Sequence, residues 1–409
     1  MTGFNFKIKH KLPGTLARTG IITTPHGKIE TPAFIVVGTK ATVKALTVEQ
    51  LKAVNTQAVL VNAYHLYLQP GHKVVEQAGG LAKFMNWQGP TFSDSGGFQV
   101  LSLGSGFKKV IDMVGDKHSL NVNQPKSQRK AFVDDEGVTF KSHLDGSKHR
   151  FTAELSMQIQ HAIGADIMFA FDELTSLNDS YYYQVESLER THKWALRCLS
   201  EIEKLRLNNL DRDYQALFGV IQGAQYQDLR KKAARFMAQQ PFDGYGIGGA
   251  IEKSKLAEII AWVNQELPET KPKHLLGISE PDDIFRAIEN GVDTFDCVSP
   301  TRVGRNGSAY TYNGRKNISS SHYKYRFTAI VDNCLCYTCT NYTAAYLHHL
   351  LHAHELLANT LMSIHNEYFI IKLVDDIRNS INDQTFYDFK NRWLASYYEA
   401  NTKYKRKNA

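Results

Sequence analysis

Residues 165–173 read ADIMFAFDE, an apolar run broken only by Asp166 and closed by the acids Asp172 and Glu173. Apolar runs of this length without alternation suit a strand buried on both faces, as in a parallel sheet. Comparable short runs lie upstream at 33–37 (AFIVV), 58–62 (AVLVN) and 91–93 (TFS). Downstream they recur at 217–221, 244–248, 274–278 and 293–298, which makes eight. Amphipathic segments separate several of them, at 48–54, 155–163, 183–205, 227–239, 254–267 and 281–289. Eight alternating strand and helix units predict an α/β protein, a (β/α)8 TIM barrel, with an open doubly wound sheet as the alternative. Residues 1–32 carry alternating runs around Pro25-His26-Gly27 and predict a hairpin, over about 5–30, that closes the bottom of the barrel. Residues 107–150 read as a polar, irregular excursion, and the tail Lys403-Tyr404-Lys405-Arg406-Lys407 as an unstructured end.

In such a barrel the loops at the C-terminal ends of the strands build the open pocket. The third run is followed by Ser93-Asp94-Ser95-Gly96-Gly97-Phe98-Gln99, and the fourth ends in Asp172-Glu173. The fifth ends in Gln222-Gly223, the sixth in Gly248-Gly249, and the eighth carries Asp296-Cys297. Acids, an amide and accessible glycine backbone therefore converge on one rim. Two carboxylates across a pocket can work on a glycosidic carbon, one as nucleophile and the other as acid or base. Asp172, Gln222 and the peptide groups at Gly249 could read the edge of a heterocycle, with Phe98 stacking on its face.

The 409 residues are 43% hydrophobic and 22% charged, enough to bury a large core, and the formal charge is +7. No apolar run approaches the roughly 20 residues of a membrane span, and residues 1–10 (MTGFNFKIKH) show no signal-peptide pattern, so a cytoplasmic protein is expected. Between Asp296 and Asp332 there is no acidic residue, whereas Arg302, Arg305, Arg315, Lys316, Lys324 and Arg326 fall there, interleaved with Tyr310, Tyr312, Tyr323, Tyr325 and Phe327. Cations neutralise phosphates and aromatic rings stack on unpaired bases, so the stretch suits RNA. Three of the five cysteines form Cys334-x-Cys336-x2-Cys339, which argues for a structural Cys3His zinc site rather than disulfides. Spacing leaves the fourth ligand open among His348, His349, His352, His354 and His365.

These motifs together resemble tRNA-guanine transglycosylases of the bacterial type, the queuine tRNA-ribosyltransferase family. The resemblance is carried by Thr31-Pro32-Ala33-Phe34 through Val37-Gly38-Thr39, Asn62-Ala63-Tyr64-His65-Leu66, SDSGGFQ at 93–99, FDE at 171–173, VIQG at 220–223, FDCVSPTRVGRNG at 295–307 and the cysteine motif. It runs from about residue 7 to about residue 395. It implies one barrel unit over 1–409, a zinc-binding and helical insert over about 305–370 after the eighth strand, and a homodimer. It implies Asp296 as nucleophile, Asp94 as general acid/base, and Phe98, Asp172, Gln222, Gly248, Gly249 and Ala250 around the base. It places one structural Zn2+ per subunit on Cys334, Cys336, Cys339 and His365. RNA contacts are implied for Gly277, Ile278, Ser279, Glu280, Pro281, Asp282 and Asp283, and for Thr301, Arg302, Val303, Gly304 and Arg305.

The implied reaction replaces guanine 34 in tRNAs with GUN anticodons (Asp, Asn, His, Tyr) by a free 7-deazaguanine, through a covalent Asp-RNA ester and without ATP. The sequence departs from the bacterial pattern at Leu174, where a pocket cysteine is common, at Ala250-Ile251-Glu252-Lys253, where a small glycine-containing run is usual, and at Phe98, where tyrosine is frequent. The incoming base is expected to be preQ1 (7-aminomethyl-7-deazaguanine), with queuine or another salvaged base second. Two other classes compete: a catalytically inactive RNA-binding partner subunit, and a barrel glycosidase acting on small molecules.

Overall fold

A computed structural model describes residues 3–98 and 131–407. Eight parallel strands close into a ring: β4 (Ala33–Val37), β5 (Val59–Val61), β6 (Thr91–Ser93), β10 (Ile167–Phe169), β11 (Ala216–Ile221), β12 (Gly244–Ile247), β13 (Lys273–Leu275) and β14 (Thr294–Cys297). The ring shuts where β14 pairs β4, with Thr294 opposite Ala33 and Cys297 opposite Val36. Each apolar run predicted as a barrel strand supplies one, so the TIM barrel holds and the open sheet does not.

Ahead of the ring stands a three-stranded antiparallel sheet, β1 (Asn5–Lys11), β2 (Arg18–Thr24) and β3 (Gly27–Thr31), where the sequence suggested a hairpin. Its fully buried Ile22 and Ile29 pack with Ile35, Leu60, Phe92 and Phe218 inside the barrel, which closes the N-terminal end. Covering helices follow local signals. Thr152 caps Ala153–Ile163 by accepting from the Leu155 N–H at 3.2 Å, and Gly164 ends it in the left-handed region.

Two sequence expectations need correction. Residues 131–151 are no irregular excursion: β7 (Ala131–Asp134), β8 (Gly137–Lys141) and β9 (Lys148–Phe151) form an antiparallel sheet. Its buried Val138, Phe140 and Phe151 pack into the core while Phe132 stays exposed, and the polar alternate positions hid it from a reading by apolar runs. Residues 107–130 of that stretch lie outside the described residues. The basic tail is backbone of the helix Phe386–Lys407 rather than an unstructured end.

After β14 the chain makes a short helix, Ser299–Arg305, and a small two-stranded sheet, β15 (Ser308–Ala309) and β16 (Lys316–Asn317). Helices Tyr337–Asn341 and Ala344–His352 follow, then the long helix Leu356–Asn382. That helix carries His365 near its start, lies along Ser299–Arg305, and packs further on against β4 and the N-terminal sheet. Gly304 lets the two helices touch: a Cβ there would stand 3.1 Å from the Met362 backbone.

Candidate active site and metal centre

The C-terminal ends of the strands gather the predicted polar groups. Asp94 follows β6, and its Oδ1 accepts from the backbone N–H of Ala63 at 2.9 Å and of Gly96 at 3.2 Å. Its Oδ2 accepts a short hydrogen bond from Asn62 Nδ2. Asn62 is held by its own task, capping the helix Ala63–Leu68 through the His65 N–H at 3.0 Å. Asp296, on β14, is half-buried; its Oδ1 lies 3.1 Å from His274 Nε2 and accepts from the Gly277 N–H at 3.2 Å.

Between these two carboxylates in the ring's order sit the groups predicted to read a base. Asp172 Oδ1 accepts from Ser95 Oγ at 3.1 Å, and its Oδ2 accepts from Gln222 Nε2 at 2.6 Å. Burial pushes the Asp172 carboxyl up to about 6, against the opposing pull of those two hydrogen bonds. Its donors are neutral, so no cation repays the loss of water. Gln222 packs against Gly249, whose φ of +94° and lack of Cβ are both required: a Cβ would stand 2.6 Å from Gln222 Oε1. Gly249 is half-buried, Gly248 and Ala250 are buried, and Phe98 is half-buried at the edge of the described residues. Gln99, the last residue of that motif, lies outside them.

Sequence reading missed the supports of this rim. Arg230, fully buried on the helix Gln227–Ala238, donates to the carbonyls of Ala224 (2.7 Å), Ile221 (3.0 Å) and Gly248 (2.7 Å), tying the β11 and β12 loops together. Desolvation draws its guanidinium down to about 9. Glu173 is buried beneath, bonded to Tyr183 Oη at 2.6 Å and paired with Arg190. No spacing rule singles out a buried arginine on an amphipathic helix; its partners lie on other elements.

The segments expected to touch RNA divide by exposure. Ile278, Ser279, Pro281, Asp282 and Asp283 are buried, whereas Gly277 and Glu280 are half-buried. Lys253 lies 3.3 Å from Asp282 and 3.2 Å from Asp283, and burial lifts the Asp283 carboxyl to about 6. Thr301 and Gly304 face inward, Val303 and Arg305 are half-buried, and Arg302 is exposed. Within the acid-free stretch Tyr310 and Tyr323 are core, while Tyr312, Tyr325 and Phe327 face solvent.

In the insert, Cys334, Cys336, Cys339 and His365 bring their ligand atoms within 4.8 Å of one another. The three Sγ atoms lie 3.9, 3.5 and 3.4 Å from His365 Nδ1. A tetrahedral zinc with ordinary bond lengths needs an S···N edge of about 3.6 Å, so the cluster fits a metal. His365 is fully buried and its Nε2 donates to the Tyr310 carbonyl at 2.8 Å, which leaves Nδ1 bare toward the thiolates. Among the described residues no other histidine joins the group.

A closed parallel barrel with carboxylates on its C-terminal rim, and a Cys3His cluster that fits a metal in the insert after its eighth strand, defines a narrow class of barrel protein. The sequence matches the profile of the family described as Queuine tRNA-ribosyltransferase over residues 14–399. A Queuine tRNA-ribosyltransferase of a Thermoanaerobacter species is 42% identical over 400 residues, covering 97% of this chain and 98% of its own. One of Caldanaerobacter subterraneus is 43% identical over 401 residues, covering 97% and 99%. One of Staphylococcus haemolyticus is 41% identical over 384 residues, covering 93% of each. The chain belongs to the queuine tRNA-ribosyltransferase family, the tRNA-guanine transglycosylases of queuosine synthesis, and is a pentosyltransferase. Among the described residues no helix is long and apolar enough to cross a membrane.

Proposed function

We propose that the protein exchanges guanine 34 of tRNAs with GUN anticodons for a free 7-deazaguanine, preQ1 in first place and queuine in second. One observation carries the reading: Asp94, Asp172, Gln222, Gly249 and Asp296 stand at the C-terminal ends of five strands of one barrel, with Asp172 accepting from a hydroxyl and an amide and Asp296 from a backbone N–H.

The steps then balance. A carboxylate oxygen of Asp296 attacks C1′ of nucleotide 34, and the C1′–N9 pair leaves with guanine, which takes its proton from Asp94. The incoming base gives its N9 proton to Asp94, and N9 attacks C1′. The C1′–O bond breaks and its pair returns to Asp296. Two inversions give net retention. Asp172, Gln222 and the Gly249 peptide read the edge of the base, and Phe98 lies against its face; Gly248 and Ala250 shape the wall. Arg302, with Arg305 beside it, meets the anticodon loop's phosphates. Cys334, Cys336, Cys339 and His365 hold one zinc ion per chain, which ties the insert to the long helix and takes no part in the exchange. The chain is expected to work as a homodimer, which light scattering checks.

Incubation with labelled guanine and unmodified tRNA(Tyr) tests the activity, and a denaturing gel tests the ester. Incorporation with an adduct that Asp296→Asn abolishes, while tRNA still binds, supports the reading. tRNA binding without incorporation points to the inactive-subunit alternative. Competition of preQ1 against queuine in the same assay decides the base.

A further inference from the structure

His274 is a fully buried titratable group in direct contact with the rim. It sits within β13, fully buried, its ring 5.5 Å from that of Phe92 and 5.1 Å from that of Phe169. Those rings, together with Thr294 Oγ1 at 2.9 Å from Nδ1, fix the imidazole, and Nε2 points at Asp296 Oδ1 at 3.1 Å. A carboxylate only accepts, so Nε2 carries the hydrogen; in the ordinary tautomer Nδ1 is then bare and accepts from the Thr294 hydroxyl. The Gly277 N–H donates to the same Oδ1 at 3.2 Å. Among the described residues no hydrogen bond reaches Oδ2.

We infer that His274 is a positioning residue: with the Gly277 N–H it reserves Oδ1 of Asp296 as an acceptor, leaves Oδ2 as the attacking atom, and weights the exchange toward release of the RNA. This deepens the proposed function and rests on Asp296 being the nucleophile. When the C1′–Oδ2 bond forms and the C1′–N9 bond breaks, Oδ1 changes from a carboxylate oxygen to an ester carbonyl. Hydrogen bonds to a charged acceptor are roughly twice as strong as those to a neutral one. Both donors therefore hold free Asp296 more tightly than the ester, and the incoming base displaces a better leaving group. Losing the Nε2 donor should favour the adduct even as misorientation slows both half-reactions.

The test measures the covalent adduct on denaturing gels while guanine is titrated against protein and tRNA. The unsubstituted protein sets the guanine concentration at which half the adduct remains. His274→Phe should raise that concentration by about fivefold, the ratio expected from exchanging a charge-assisted for a neutral hydrogen bond, and His274→Gln, which restores an N–H donor, should bring it back. Thr294→Val, a milder change, should move it in the same direction, because the imidazole can then carry its hydrogen on Nδ1. General damage to the site would lower the adduct instead. An unchanged or lowered half-point in folded His274→Phe and Thr294→Val, or a His274→Gln that behaves like His274→Phe, overturns the inference. Absence of any adduct with the unsubstituted protein overturns the nucleophile reading itself, and this inference with it.

Discussion

Two strands of the barrel carry an aspartate at each end, and the ends treat them oppositely. On the N-terminal side Asp293 is fully buried and Arg18 grips it with two hydrogen bonds, Nε to Oδ1 at 2.9 Å and Nη2 to Oδ2 at 2.7 Å, with the Lys273 N–H adding a third at 2.8 Å. Asp166 there accepts from the Thr91 N–H and hydroxyl at 2.8 and 3.0 Å and faces His26 Nδ1 at 2.7 Å. Three residues beyond Asp293, Asp296 meets a buried imidazole and one N–H; six beyond Asp166, Asp172 meets a hydroxyl and an amide. A buried charge paired with a cation is committed to the fold. A half-buried charge held by neutral donors keeps part of its electrostatic demand for a ligand. The same residue type is cement at one end of the ring and reagent at the other.

That contrast can be broken by experiment. The largest expected effect is on stability at the closed end: Arg18→Ala strands a buried carboxylate and should cost about 3–5 kcal/mol in denaturant unfolding. Exchange activity per folded molecule should stay within about twofold; a selective loss of activity there would dissolve the distinction. Next comes the insert, which belongs to neither end. Cys336→Ser should release the bound metal, read by metal analysis, and loosen residues 330–365 by hydrogen exchange. Full metal retention would refute the ligand set.

At the open end the expected effects are in chemistry. Below about pH 6 Asp172 takes up a proton, loses an acceptor and should bind guanine more weakly, KM rising up to tenfold per pH unit. The raised folded value also means that folding binds a proton between the ordinary carboxylate range and pH 6, so stability should fall as pH rises through that window. Asp172→Asn should remove both dependences. The smallest effect sharpens the picture: Ser95→Ala removes a hydrogen bond that lowers the Asp172 carboxyl, so the KM inflection should move up by as much as about one pH unit with little change in melting.

The barrel was legible because a parallel strand is buried on both faces, and runs such as AFIVV at 33–37 carry that burial in four consecutive residues before Val37 reaches the rim. The β7–β9 sheet was not, because exposed positions interrupt its buried ones and Phe132 turns its apolar surface to water. The rim acids could be picked out by their position after strands. Their supports could not: His274 and Arg230 acquire meaning only from Asp296, Ile221 and Gly248, which the chain brings together by closing the ring. The burial of five residues of the 277–283 segment comes likewise from packing of the helix Pro281–Glu289, which no local pattern spells out.

The long helix Leu356–Asn382 has a further consequence for how the molecule is made. Near its start His365 faces the thiolates, while Arg378 bonds the Pro32 carbonyl at 3.0 Å and Asn382 meets the Thr19 hydroxyl at 2.8 Å, both near the beginning of the chain. The ring itself shuts only when β14 finds β4. On a ribosome, then, the first strands must wait unsealed until most of the polypeptide has emerged. The helix that latches the first residues of the barrel is also the one that brings His365 to the thiolates, so a chain whose cluster stays without metal would be expected to hold that latch, and with it the seam of the ring, less firmly.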